Sequence, residues 1–508
     1  MSRDRFVCIH GHWYQPPREN PFTGLVEDQP SAAPYPNWNE RITAECYQPN
    51  SRAEILNGDG SVRAVMNNYA HVSSDWGPTL LSWLEANHPE IYHSILQADR
   101  DSMRAHSGHG PTLAHTYNHT ILPLSNKRDK RTQVLWGIAD FEHRFGRSPE
   151  GMWLPETAVD LESLEVLSDA GISFTVLAPT QASAVLAGDE WLDVRGGRVD
   201  TRVPYTVQLF GGSSITVFFY DGPLSQEIAF NGLLEDGASL AGRLIEGLGE
   251  ELPGARLSHV ATDGETYGHH HRHGEMALAR AMEILEESAE IILTNYAEFL
   301  AEHPPTSVAR IFENSSWSCA HGVGRWREDC GCSTGEHPDW HQEWRSHLRD
   351  ALDLLRDVSI ASFETIGATL LEDPWEARDR YVDVVLGGDP EAFLDVHGRG
   401  AQDPALREKT LDMLEIQRQA MLMYTSCGWF FDDISGIESV LVLRHAGRVI
   451  DLTRRALGQD LEPGFLEILG KAPSNVAGKS GADVYRETVT PFLTTGSKPP
   501  GGRKTPAR

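Results

Sequence analysis

Gly151-Met152-Trp153-Leu154-Pro155-Glu156, residues 151–156, is a short apolar run that stops abruptly at an acid. Two other stretches share this form. Phe6-Val7-Cys8-Ile9-His10 breaks into Gly11-His12-Trp13-Tyr14-Gln15-Pro16-Pro17, and Leu257-Ser258-His259-Val260-Ala261-Thr262 ends at Asp263. A strand buried on both faces reads as a near-continuous apolar run, and polar or aromatic residues directly after it are what the C-terminal mouth of a β/α barrel presents. Further strands are predicted at 172–177, 202–210, 215–220 and 291–294. Helical patterns at 131–145, 161–170, 235–249 and 274–288 alternate with them. A polar loop is expected up to about 51, and 63–98 reads as helical, with apolar residues at helical spacing from Pro78 to Leu84.

This alternation predicts an α/β barrel-like domain over 1–305. Beyond about 345 the pattern turns helical, at 342–357, 358–371, 404–424 and 436–457. A mainly α-helical second domain over 306–480 follows. The basic, apolar-poor C-terminus is expected to be a disordered tail over 481–508. The chain contains no internal repeat.

Net charge is −29, from 44 basic and 73 acidic side chains. So acidic a surface repels phosphate backbones and anionic lipid, which argues against nucleic-acid and membrane partners and suits a neutral substrate. The first residues lack the apolar core of a signal peptide, no apolar run approaches the roughly 20 residues of a membrane span, and the six cysteines are scattered. A cytoplasmic location is the expectation. The 13 tryptophans suit flat, partly wet contacts such as sugar rings, although core packing accounts for most of them.

Two carboxyl groups flanking a glycosidic bond, about 5–5.5 Å apart, can break it with retention of configuration. Glu156 and Asp263, at the ends of two predicted strands, would point into one mouth. For Glu156 the plainer reading is an acid favouring the dipole of the helix after it. Asp263-Gly264-Glu265-Thr266-Tyr267-Gly268 runs into His269, His270, His271 and His273, so charges there could shift one another's protonation; an incidental histidine run is the alternative. His10 and His12 could hydrogen-bond sugar hydroxyls, with Trp13 stacked beneath a ring.

Taken in order, the motifs at 10–16, 151–156 and 263–268 resemble the signature regions of glycoside hydrolase family 57. Segments 108–124 and 217–225 are similar to other parts of that family. The resemblance implies a (β/α)7-type barrel followed by a helical region, and a retaining glycoside hydrolase or transglycosidase acting on an α-glucan-like oligo- or polysaccharide without a cofactor. It implies Glu156 as nucleophile and Asp263 as general acid/base. It places His10, His12, Trp153 and Glu265 on the sugar, with Trp13, Gln15, Tyr267 and His269 completing the substrate-facing wall. This chain departs from the family where Trp13-Tyr14 separate His12 from Gln15, and where histidines follow Gly268. The C-terminal half resembles an uncharacterised domain found in a subgroup of the family.

Two other enzymatic or binding readings fit the same residues. One is a metal-dependent deacetylase- or mannosidase-like enzyme using His10, His12, Asp263 and the histidine run. The other is a non-catalytic carbohydrate-binding protein using the tryptophan-rich mouth. Cys319, His321, Cys330 and Cys332 fall within fourteen positions. A Cys₃His set can bind zinc, but Cys-x-Cys is tighter than the usual spacing, and a loop of small buried residues is the expectation. Asp432 and Asp433, after a run of aromatics, are further acids that could reach an active site.

Overall fold

The computed structural model describes residues 4–250, 254–400 and 403–494. Seven parallel strands form its frame: β1 (Arg5–Trp13), β2 (Ser73–Trp76), β3 (Thr112–His115), β4 (Met152–Trp153), β5 (Phe174–Leu177), β6 (Ser214–Phe219) and β7 (Arg256–Asp263). β7 pairs with β1, β1 with β2, β2 with β3 and β3 with β4. A parallel bridge from Gly151 to Phe174 carries the path to β5, which pairs with β6. The Asp221 N–H, just past β6, donates to the His259 carbonyl of β7 at 2.8 Å and returns the path to its start. This is the (β/α)7-type arrangement expected.

Side chains alternate along a strand, so Phe6, Cys8, His10 and His12 share one face of β1, as Leu257, His259, Ala261 and Asp263 do on β7. The lower half of that face is apolar. Phe6, Cys8, Leu257, Phe174, Val176, Phe218, Tyr296 and Phe299 pack together there. The upper half carries the titratable groups. The helices between strands begin at side-chain caps: Asp160 accepts from Ser163 N ahead of α1 (Leu161–Asp169), and Asp221 accepts from Leu224 N ahead of α2 (Gly222–Phe230).

The region read as one helix at 63–98 differs. Val62–Met66 is a strand, β2 follows, and the helices are Pro78–Asn87 and Pro89–Ala105. Pro78 and Pro89, each at a helix N-terminus, explain the break. The stretch expected as loop up to 51 contains short helices at Trp38–Ile42 and Gln48–Ser51.

The chain divides into two compact units. One comprises Met1–Gln15, Asp28–Thr116 and Arg144–Ser318; the other comprises Pro16–Glu27, Tyr117–His143 and Cys319–Arg508. A single cut near 305 therefore does not describe the division. Early segments join the helical unit because their aromatics are buried there: Phe22 stacks on Phe492, and the Trp136 indole donates to the Arg378 and Asp379 carbonyls. This unit is built on α3 (Trp344–Thr365), α4 (Pro404–Leu422) and α5 (Ile437–Leu457), which pack on one another. Asp432 accepts from Thr334 N and Oγ1, while Asp433 accepts from Ser435, Ser474 and Asn475. Both acids are engaged in locking turns of this unit.

The expected tail at 481–508 is corrected over its first part. Gly481–Thr488 and Thr490–Thr494 are helices; Ser480 and Asp483 form a capping box, and Val484, Tyr485 and Val489 are buried. The rest of that stretch lies outside the described residues. Among the described residues no helix is long and apolar enough to cross a membrane.

Candidate active site

Register sets the first layer of the site. His12 of β1 pairs with Asp75 of β2 on one side and Asp263 of β7 on the other, and His10 pairs with Ser73. In a parallel ladder, partners in register project to the same face. Asp75, which the sequence reading missed, is fully buried and accepts from both imidazoles: His10 Nε2 at 3.0 Å and His12 Nδ1 at 2.8 Å. The other ring nitrogen of His10 meets Ser73 Oγ at 3.1 Å. Both nitrogens of His10 are therefore used internally, and its expected contact with sugar is corrected to a supporting one.

Electrostatics separates the two histidines. Burial dominates at His10 and pushes its pKa down. Burial also disfavours charge on His12, but Asp75, then Asp263 and Glu156, outweigh it and hold the imidazolium above its ordinary value. Burial would raise the Asp75 carboxyl; the His12 charge and the two imidazole hydrogen bonds prevail and hold it at about 2. His115, stacked on His12 with ring centroids 5.6 Å apart, is driven down to about 4 by burial. The His12 imidazole, its charged form favoured, thus lies within electrostatic reach of both Glu156 and Asp263.

Glu156 sits in a turn directly after β4. Its backbone is left-handed (φ 57°), and so is that of Thr157 (φ 48°). Two successive non-glycine residues in that region are costly and persist only where neighbours impose them. The neighbours are visible. Thr157 Oγ1 donates to Gln181 Oε1 at 2.8 Å, and Gln181 Nε2 returns a bond to the Thr157 carbonyl at 2.8 Å. Val159 bridges to Ser315, and Trp317 N donates to the Glu156 carbonyl at 3.0 Å. The carboxylate is held as well: Oε2 accepts from Trp317 Nε1 at 2.9 Å and Ser318 Oγ at 2.5 Å.

Trp317 is also the hub of the aromatic wall. Its ring lies 5.2 Å from Trp153, 6.3 Å from His12 and 6.4 Å from Tyr220. Trp153, expected on the sugar, is fully buried and stacks on His10 and His12, so its role is corrected to supporting the imidazoles. Tyr220 has its pKa raised, first by burial and then by the charge of Asp263. Glu156, Trp317, Tyr220, His12 and Asp263 thereby form one connected constellation. Among these five, Asp263 alone is exposed.

Glu265 has partners of its own. Its Oε1 accepts from Gln15 Nε2 at 2.6 Å and Tyr47 OH at 2.9 Å, and Tyr47 is a second residue the sequence reading missed. His269 pairs with Glu45 through Nδ1 at 2.5 Å, and His271 Nε2 meets the Ala229 carbonyl at 2.7 Å. The histidine run is therefore spread over separate partners.

Two further expectations are overturned. Trp13 is not beneath a sugar ring: it is fully buried, stacked on Trp76 at 5.2 Å and edge-on to Tyr69 at 5.3 Å. Alternation puts it on the opposite face of β1 from His12. Gly264 packs so closely on it that a Cβ there would fall 2.2 Å from Trp13 Cδ2. Tyr267 is likewise buried, its hydroxyl accepting from Thr262 Oγ1 at 3.2 Å and its carbonyl accepting from Asn50.

Residues 33–311, more than half of the chain, match Glycosyl hydrolase family 57, and the chain belongs to that family. Residues 340–498 match a domain of unknown function, DUF3536. Alpha-amylase 1 of Dictyoglomus thermophilum is 31% identical over 99 residues, which are 19% of this chain and 13% of that protein. The 4-alpha-glucanotransferase of Thermococcus litoralis is 25% identical over 258 residues, 48% of this chain and 35% of that protein. This chain thus spans well under half the length of these curated relatives. The exo-type maltose-forming amylase of Pyrococcus sp. ST04 shares the fold with TM-score 0.65 at 16% identity, covering 91% of this chain and 80% of that one. The GH57-type branching enzyme of Pyrococcus horikoshii does so with TM-score 0.54 at 14% identity, covering 98% of each chain.

Proposed function

We propose that this protein is a retaining glycosidase or transglycosidase acting on an α-glucan-like oligo- or polysaccharide. Glu156 attacks the anomeric carbon while Asp263 protonates the departing oxygen, giving a glycosyl-enzyme. Asp263 then takes the proton from water or an acceptor hydroxyl as that oxygen displaces Glu156. The observation that carries the reading is the mooring of Glu156. A carboxylate held by two donors, in a backbone conformation that costs energy, near an imidazole whose charged form is favoured and that also feels Asp263, is organised far beyond what a helix-terminal acid requires.

In this reading the donors Trp317 and Ser318 keep the Glu156 carboxylate aimed. His12, whose protonated form Asp75 favours, offsets negative charge from the two acids. Asp263, the exposed member, is the one positioned to exchange a proton with an incoming acceptor. Glu265, with Gln15 and Tyr47 behind it, and His269 bind substrate hydroxyls. Relatives named for amylase, glucanotransferase and branching activities support an α-glucan as substrate.

The test is turnover of maltooligosaccharides and amylose by the wild type, Glu156→Gln and Asp263→Asn. Both substitutions should lower kcat by at least about 10³-fold, and Asp263→Asn should retain activity toward a substrate whose leaving group needs no proton. Full activity in Glu156→Gln would overturn the assignment.

A further inference from the structure

The segment that begins immediately after Ser318 brings together side chains on which the proposed glycoside chemistry makes no demand. Cys319 Sγ lies 3.9 Å from Cys330 Sγ and 3.8 Å from Cys332 Sγ, and Cys332 Sγ lies 3.6 Å from His321 Nδ1. All four ligand atoms fall within 4.8 Å of one another. No pair is at disulfide distance, and all six cysteines are free. We propose that Cys319, His321, Cys330 and Cys332 form a structural zinc site.

The distances are those a tetrahedral ion dictates. Sulfur ligands at about 2.3 Å and nitrogen at about 2.0 Å from zinc give S···S near about 3.8 Å and S···N near about 3.5 Å along the tetrahedral edges. The observed 3.9, 3.8 and 3.6 Å match that edge set with an imidazole at one corner. Three thiol groups drawn to such separations inside a protein have no comparable reason to converge without a cation, since they are weak partners for one another.

Local backbone explains how so tight a Cys-x-Cys can serve. Gly331, between Cys330 and Cys332, has φ 81°, and Gly322, after His321, has φ 76°. Each reverses the chain in a region that other residues avoid, so that adjacent ligands turn to one centre. The Arg325 N–H donates to Cys319 Sγ at 3.4 Å, the kind of bond that supports a thiolate ligand.

Charge gives a second, independent indication. Arg325 and Arg345 are buried around this loop. Arg325 donates to the Ser333 carbonyl and Arg345 to the carbonyls of Cys332, Phe430 and Phe431. Among the described residues neither has a carboxylate within ion-pair distance; Asp432 acts on Arg345 only at longer range, and Arg325 lies over the Phe430 ring at 4.2 Å. Buried guanidinium groups require compensation, and three thiolates around one divalent ion leave a net negative charge beside them. A closed Cys₃His set is saturated by protein ligands, so the ion braces the loop and does no chemistry.

The test uses the full chain, expressed with zinc and purified under reducing conditions. Metal analysis should find about one zinc per chain, falling to background in the Cys330→Ser/Cys332→Ser double variant. Cobalt exchanged into the wild type should give the intense visible bands of a tetrahedral ion with thiolate-to-cobalt charge transfer. Should the double variant fail to fold, the cobalt spectrum decides alone. Wild type carrying no more zinc than background, or cobalt giving the weak spectrum of an octahedral site, would overturn the proposal.

Discussion

Trp317 grips Glu156 twice: its indole N–H donates to Oε2 at 2.9 Å, and its backbone N–H donates to the carbonyl of the same residue at 3.0 Å. A residue some 160 positions downstream thus sets both the side-chain and main-chain geometry of the proposed nucleophile. Trp317→Phe keeps the ring and the backbone bond but removes the indole donor. Because Ser318 still holds the same oxygen, kcat should fall about tenfold, less than the 10²–10³ typical of losing a sole donor. KM should change little, and stability by about 1 kcal/mol. Steady-state kinetics with thermal unfolding separates these effects.

Asp75 is the common partner of His10 and His12, and its removal should register as a pH effect. Its carboxyl is depressed, so its contribution is present above the unfolded value of about 3.9 and lost as pH falls toward about 2. His12 is raised, so its contribution is complete below about 6.5 and lost as pH climbs through its higher folded value. Asp75→Asn should therefore cost about 3–5 kcal/mol near pH 6. The gap should narrow in alkali, once wild-type His12 has lost its proton. Urea denaturation of both proteins at about pH 6 and about pH 9 measures it.

Trp13 belongs to the aromatic core, so its substitution should act on folding and leave substrate affinity alone. Trp13→Ala should destabilise by about 3–5 kcal/mol. Gly264→Ala pushes a methyl group into the same ring and should cost about 1–3 kcal/mol. In the fraction that folds, KM should stay within about twofold of wild type. A KM increase without loss of stability would return Trp13 to the sugar.

Tyr47 donates to Glu265 alongside Gln15. Tyr47→Phe removes one of two donors and should raise KM a fewfold through Glu265, at about 1 kcal/mol or less. Glu265→Gln should raise it further. If Tyr47→Phe changed KM in an Glu265→Gln background as much as in the wild type, the tyrosine would not be acting through that acid.

The legible part of the fold was the part with apolar strands. β1, β4, β5, β6 and β7 announce themselves because their residues face core on both sides. β2, Ser73-Ser74-Asp75-Trp76, and β3, Thr112-Leu113-Ala114-His115, carry polar groups toward the mouth and so lack that signature. With β2 went Asp75, the carboxylate that favours the charged form of His12. The two acids were readable as strand-end residues, whereas Trp317 and Ser318 lie in a loop whose meaning comes only from tertiary contact. Trp13 was readable and misassigned: strand alternation from His12 already places it on the far face. Sequence separation is likewise silent about the turns that glycine permits at Gly322 and Gly331, which bring Cys319, His321, Cys330 and Cys332 together.

The paired left-handed residues at Glu156 and Thr157 make this turn a place where durability and catalysis select in opposite directions. Each such residue costs about 1–3 kcal/mol, and glycine would release that cost at either position. At Glu156 the exchange deletes the proposed nucleophile. At Thr157 it would yield a hardier protein in which Glu156 is less firmly aimed. Screens for heat resistance should therefore enrich changes at residue 157 that screens for turnover reject, and that divergence would mark the turn as functional without any reference to substrate.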